Sequence, residues 1–141
     1  MDAAEFLASI GRGSSQPVGV PTVEAIYATG HHLFGRERYA DASRAFKTML
    51  FKDPHDERGW LGLGECHEKI NQPRQALELY GWGSVLGRAA VRCHLARARL
   101  LRVLNRDDEA DAALEKATEL AEASDDETLA VLVAREKGKT S

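Results

Sequence analysis

A period of 34 residues constrains this chain more than any other feature. Ala42, Ala76 and Ala110 fall 34 apart, and so do Phe46, Tyr80 and Leu114. The same interval joins Gly30, Gly64 and Ala98, then Met49, Gly83 and Ala117, then Ile26, Trp60 and His94. A fixed period of this length marks stacked supersecondary units, none of which buries its apolar face alone. Between the marked positions Ala, Leu, Glu and Arg dominate and Pro is scarce, a helical composition without strand signals. Each unit therefore reads as two antiparallel helices. The first carries a small residue (Gly30, Gly64, Ala98) where the second comes close, and the second answers with Ala42, Ala76 and Ala110. Bulky neighbours fill the gaps that remain. A glycine inside a helix costs roughly 0.5–1 kcal/mol relative to alanine. Close packing offsets that cost at Gly64. Gly62 has no place in the period and is expected to mark a thin spot on the exposed side of its helix.

Large, small, small, aromatic and small residues at these offsets make the tetratricopeptide pattern. The expected fold is all-α, with three tandem tetratricopeptide repeats at about 23–56, 57–90 and 91–124 forming a short right-handed solenoid. Punctuation agrees. Thr22 and Asp56 suit helix N-caps, Pro73 opens a helix where its missing N–H is harmless, and acids at 107–109 suit another helix start. Ser124 to Glu127 fits a capping box that opens a C-terminal capping helix over 125–137, within a repeat domain of 22–137. Residues 138–141 are expected to fray. Ahead of the repeats, residues 1–21 read as a short amphipathic helix carrying Phe6, Leu7 and Ile10, then the linker "GRGSSQPVGVP". An apolar helix on such a tether docks on its own domain or on a second copy. We expect a homodimer held through Phe6, Leu7 and Ile10.

Composition and motifs exclude several functions. A net charge of -3 argues against nucleic-acid binding. The N-terminal stretch carries acids and lacks the basic and apolar regions of a secretory signal, and no run approaches the roughly 20 apolar residues that span a bilayer. Cys66 and Cys93 are too few for a disulfide framework and point to a cytoplasmic thiol pair. Adjacent helical residues point about 100° apart, so neither Cys66–His67 nor Cys93–His94 chelates one metal ion easily. "GRGSSQPVG" lacks the Gly-Lys-Ser/Thr of a phosphate loop. No cofactor, metal or catalytic residue is expected, and the chain does not read as an enzyme.

A short solenoid presents a concave face, built chiefly from the first helix of each repeat. Repeat offsets place Glu24, Tyr27, His31 and Phe34, then Arg58, Leu61, Glu65 and Glu68, then Arg92, Leu95, Arg99 and Arg102 there, with Tyr39 and Tyr80 reaching in from second helices. The first repeat thus supplies aromatic groups. The third supplies an arginine stripe, whose charge Glu65 and Glu68 answer only in part.

The stretch from Leu50 to Cys66, "LFKDPHDERGWLGLGEC", and the following Ala76 to Gly83, "ALELYGWG", resemble the class II chaperones of bacterial type III secretion systems, the translocator chaperones. The likeness runs over about residues 22–122. Gly62 beside Gly64 and Cys66 fits this family better than it fits a generic repeat. "RCHLARARLLR" and the missing proline in "GRAAVR" depart from the family's third repeat. The resemblance implies a cytosolic chaperone that binds hydrophobic, pore-forming translocators through an extended P-x-L-x-x-P-like segment, keeping them soluble and secretion-competent. It implies a client pocket at Tyr27, His31, Phe34, Tyr39, Leu61 and Tyr80, with His31 where the family often has an aromatic. A scaffold or needle-subunit chaperone of the same repeat class is the alternative.

Overall fold

The computed structural model describes residues 1–12, 21–88 and 90–139. Among them run α1 (Ala3–Arg12), α2 (Val23–Gly35), α3 (Tyr39–Lys52), α4 (Glu57–Lys69), α5 (Pro73–Leu86), α6 (Val91–Val103), α7 (Asp107–Glu122) and α8 (Glu127–Gly138). The pairs α2/α3, α4/α5 and α6/α7 are the three repeats, and each packs on the next. The linker reading falls mostly on residues 13–20, outside the described residues.

The helix starts follow local chemistry. Thr22 Oγ1 accepts the Ala25 N–H at 3.1 Å and Asp56 Oδ1 accepts the Arg58 N–H at 3.1 Å. The capping box shifts. Asp126, not Ser124, is the N-cap of α8 and accepts the Thr128 N–H at 2.9 Å. Ser124 instead accepts the Asp126 N–H at 3.1 Å, closing a turn before the helix begins.

The turn inside each repeat is itself periodic. Glu37, Asn71 and Asn105 sit 34 apart and share a left-handed backbone, with φ of 62°, 62° and 60°. The residue after each donates its N–H five back, Arg38 to Leu33, Gln72 to His67 and Arg106 to Leu101. Asparagine tolerates this conformation well, and Glu37 bears more strain.

Small residues set the helix spacing by admitting rings. A β-carbon at Gly30 meets the Phe46 ring at 2.9 Å, and one at Gly64 meets the Tyr80 ring at 2.3 Å. Gly62 corrects the expectation of an exposed thin spot. It is buried, and a β-carbon there meets the same Phe46 ring at 2.5 Å. Phe46 lies across α4 from the preceding repeat, so Gly62 serves packing between repeats where Gly64 serves packing within one. Phe46, Met49, Leu50, Trp60, Leu63 and Cys66 form the main core. The Trp60 indole N–H donates to the Pro54 carbonyl at 2.7 Å, satisfying its polar edge inside that core.

One end of the stack is covered by α8, which buries Leu129 and Val133 with Val91, Ala117 and Ala121. The N-terminal helix α1 lies along α3, and Phe6 reaches into the second repeat to pack on Trp60 and Trp82 at centroid distances of 5.9 and 5.5 Å. Phe6 and Leu7 therefore rest on the chain's own core. Ile10 lines a shallow cleft with Arg44, Lys47 and Phe51.

Candidate functional site: a two-chambered groove

The groove is built on α4. Spacing of four residues sets Leu61 and Glu65 on one face of that helix. One chamber lies between α2 and α4 and a second between α6 and α8. Leu61, Glu65 and Arg92 border both, so the chambers form one channel with these residues at its waist.

The first chamber encloses about 550 Å³. Tyr27 and His31, one turn apart on α2, stack with centroids 5.9 Å apart and planes at 17°. The Arg58 guanidinium stands 4.6 Å from the centre of the Tyr27 ring. Arg58 is held by Asp56 at 3.0 and 2.7 Å and by Glu24 of the preceding repeat at 2.7 and 3.0 Å. Those hydrogen bonds to Arg58 pull the carboxyls of Asp56 and Glu24 below their ordinary range. Arg58 is therefore a fixed, fully answered cation that shapes the wall. Phe34 completes the aromatic side, and Phe46 forms the floor beneath Gly62.

The second chamber encloses about 300 Å³. Leu95, Ala96 and Arg99 come from α6, and Leu132, Arg135 and Glu136 come from α8. The capping helix thus builds part of the groove as well as closing the core. Sequence reasoning missed this contribution, because α8 lies outside the repeat offsets.

Of the fourteen groove positions read from the sequence, Tyr27, His31, Phe34, Arg58, Leu61, Glu65, Arg92, Leu95 and Arg99 line the channel. Five do not, and two of these, Glu24 and Glu68, hold Arg58 and Arg99. Tyr39 stands behind Phe34, edge to face at 5.3 Å. Tyr80 is fully buried between α4 and α5, with its hydroxyl donating to the Glu68 carboxylate. Gly64 leaves room for the ring there, which is why it turns inward. Arg102 turns away to the acidic start of α7, bonding Asp111 at 2.8 Å with Asp107 at 3.8 Å.

The arginine stripe also needs correcting, because each member has a partner. Arg99 donates to Glu68 at 2.6 Å, and Arg92 lies 3.8 Å from Glu57. Glu57 is only 8% exposed and accepts the Cys93 N–H at 3.3 Å, while burial holds its carboxyl above the ordinary range. The acids that answer the stripe come from α4 and α7, and only the folded stack brings them there. Phe46 is a groove residue missing from the sequence-derived set, because it belongs to a second helix and reaches the groove only through the space left by Gly62.

A family model for the tetratricopeptide repeat matches residues 33–81. The translocator chaperone SycD of Yersinia enterocolitica is 26% identical and superposes with a TM-score of 0.73, covering 84% of this chain and 87% of SycD. PcrH of Pseudomonas aeruginosa, bound to the chaperone-binding region of PopB, is 27% identical with a TM-score of 0.75, covering 88% of this chain and 98% of PcrH. The chain has the tetratricopeptide fold of the type III secretion translocator chaperones. Low calcium response locus protein H of Yersinia pestis, a curated relative of this chain, is 29% identical over 65 residues, or 46% of this chain. That match spans 39% of the curated protein's length. Among the chaperones, SycD also occurs as an alternative dimer and in complex with a peptide of the translocator YopD. Among the described residues of the present chain, no helix is long and apolar enough to cross a membrane.

Proposed function

We propose that this chain is a cytoplasmic chaperone of a bacterial type III secretion system. It holds an extended, P-x-L-x-x-P-like segment of hydrophobic translocator proteins in the two-chambered groove. It acts by binding and performs no chemical step. The observation that carries the reading is the continuous channel, aromatic at one end and charged at the other, in a fold whose solved relatives hold translocator segments.

The physical logic concerns the client. Its membrane-seeking segments aggregate in water unless covered or kept dilute. Gripping an extended segment leaves the rest of the client unfolded and fit for export. The first chamber takes an apolar anchor against Tyr27, Phe34 and Phe46, while His31 and the waist residues offer polar groups to the segment's backbone. Two copies of the chain associate through α1, with Ile10 at the contact.

Phe34→Ala is expected to weaken binding of such a peptide by about 2 kcal/mol or more, the range of an interface hot spot, at low and high salt alike. Titration by fluorescence anisotropy measures this. An unaffected variant would remove the groove assignment. A helix-forming peptide that displaces the client when the extended one cannot would favour a needle-subunit chaperone instead.

A further inference from the structure

Resting on the groove reading above, we propose that Glu65 is the recognition point for a basic side chain, lysine or arginine, in the bound segment. Glu65 stands at the waist with Leu61 and Arg92, so a segment that occupies both chambers runs beside it. The charged groups nearest the waist are engaged, and Arg135 of α8, which lines the second chamber, is not among the groups acting on Glu65. Arg58 is tied to Asp56 and Glu24, Arg92 leans to Glu57, and Arg99 bonds Glu68. Among the described residues Glu65 accepts no hydrogen bond and forms no ion pair.

The groups acting on Glu65 come from three helices. Glu68 and Lys69 share α4, His31 faces it from α2, and Arg99 faces it from α6. Arg99 is already committed to Glu68, and the Tyr80 hydroxyl is spent on Glu68 too. The charge of Glu65 is left over. Burial, then repulsion from Glu68, pushes its carboxyl above the ordinary range, as suits a site short of positive charge.

In the open groove, water solvates this carboxylate. A bound segment displaces that water, and covering an unpaired carboxylate is unfavourable. There are three ways out: a cation from the client, a neutral donor from the client, or a proton from solvent. A neutral donor leaves the full charge covered. A proton surrenders the attraction that a cation gains. Arg92 does not oppose the cation, because its guanidinium is drawn toward Glu57 on α4, more than two turns before Glu65. The client class that fits is an apolar segment with one basic residue between its anchors.

The test uses the full chain and short acetylated peptides with the proline and leucine spacing of the proposed segment. One interior position at a time is set to Lys, Arg, Gln or Glu. At the best position the Lys and Arg peptides are expected to bind about tenfold more tightly than the Gln peptide at low ionic strength. Glu65→Gln should erase that preference, because the Lys and Arg peptides lose their partner while the Gln peptide no longer covers an unpaired charge, and the melting temperature should not fall, since Glu65 has no hydrogen bond or ion pair to lose. Equal binding of Lys and Gln peptides at every position overturns the inference and leaves the groove reading intact. So does a Gln peptide that binds more tightly as the pH falls, since that outcome identifies a proton as the partner. Binding that Phe34→Ala fails to weaken overturns the groove reading itself.

Discussion

Gly64→Ala tests the packing rule most directly. The added β-carbon falls 2.3, 2.7 and 2.9 Å from three carbons of the Tyr80 ring. That ring is rigid, fully buried and anchored by its hydroxyl to Glu68, so it has no free direction in which to yield. Overpacking of this kind costs about 1–3 kcal/mol, and loosening the hydroxyl bond adds about 1 kcal/mol. Against this, alanine in a helix interior is better than glycine by about 1 kcal/mol. The net loss is about 1–3 kcal/mol, which for a domain of this size lowers the melting temperature by roughly 3–10 °C. Gly81 supplies the control. It also lies inside a helix, but the nearest atom to its added β-carbon is the Arg97 Nε at 4.0 Å. Gly81→Ala is therefore expected to raise stability by about 0.5–1 kcal/mol. Thermal melts followed by far-UV circular dichroism separate the two. A double-mutant cycle with Tyr80→Leu should then show positive coupling, because the smaller side chain relieves the contact. A Gly64→Ala variant as stable as the parent would refute the claim that Gly64 is there to admit the ring.

Three further predictions concern the N-terminal helix and pH. Trp60 and Trp82 are the only tryptophans and both touch Phe6, so Phe6→Ala should shift the intrinsic fluorescence to longer wavelength and cost about 1–2 kcal/mol. Ile10→Asp should leave that fluorescence unchanged yet give a monomer by light scattering, and a persistent dimer would remove α1 from the contact between copies. Burial raises the Glu57 carboxyl, so the folded chain holds that proton more tightly than the unfolded one. Its contribution is complete below the ordinary value of 4.5 and is lost as pH rises through the higher folded value. Glu57→Gln keeps an acceptor for the Cys93 N–H and should flatten this part of the stability profile, whereas an unaltered profile would show that Arg92 already compensates the charge.

The sequence by itself determined the repeat, its period and the faces of its helices. Helical periodicity and the volume of small side chains are local properties, so Gly30, Gly64 and Ala42 announced close packing before any fold was known. The concave face followed from the period for nine of the fourteen positions named, whereas the shared left-handed turn at Glu37, Asn71 and Asn105 showed itself only in the backbone. Tertiary structure decided where long side chains turn once several partners compete. Tyr80 went inward because Gly64 emptied a space for its ring and Glu68 received its hydroxyl. Arg102 left the groove because the acids of α7 lay nearer than anything across the channel. Arg99 and Arg92 lost their free charge to Glu68 and Glu57, one repeat away. Gly62 became legible only when Phe46 of the preceding repeat was seen packed against it, and α8 joined the groove only by packing on α6. A residue's helical face is set by its neighbours in the chain, but its partner is set by distances between elements that only the packed stack defines.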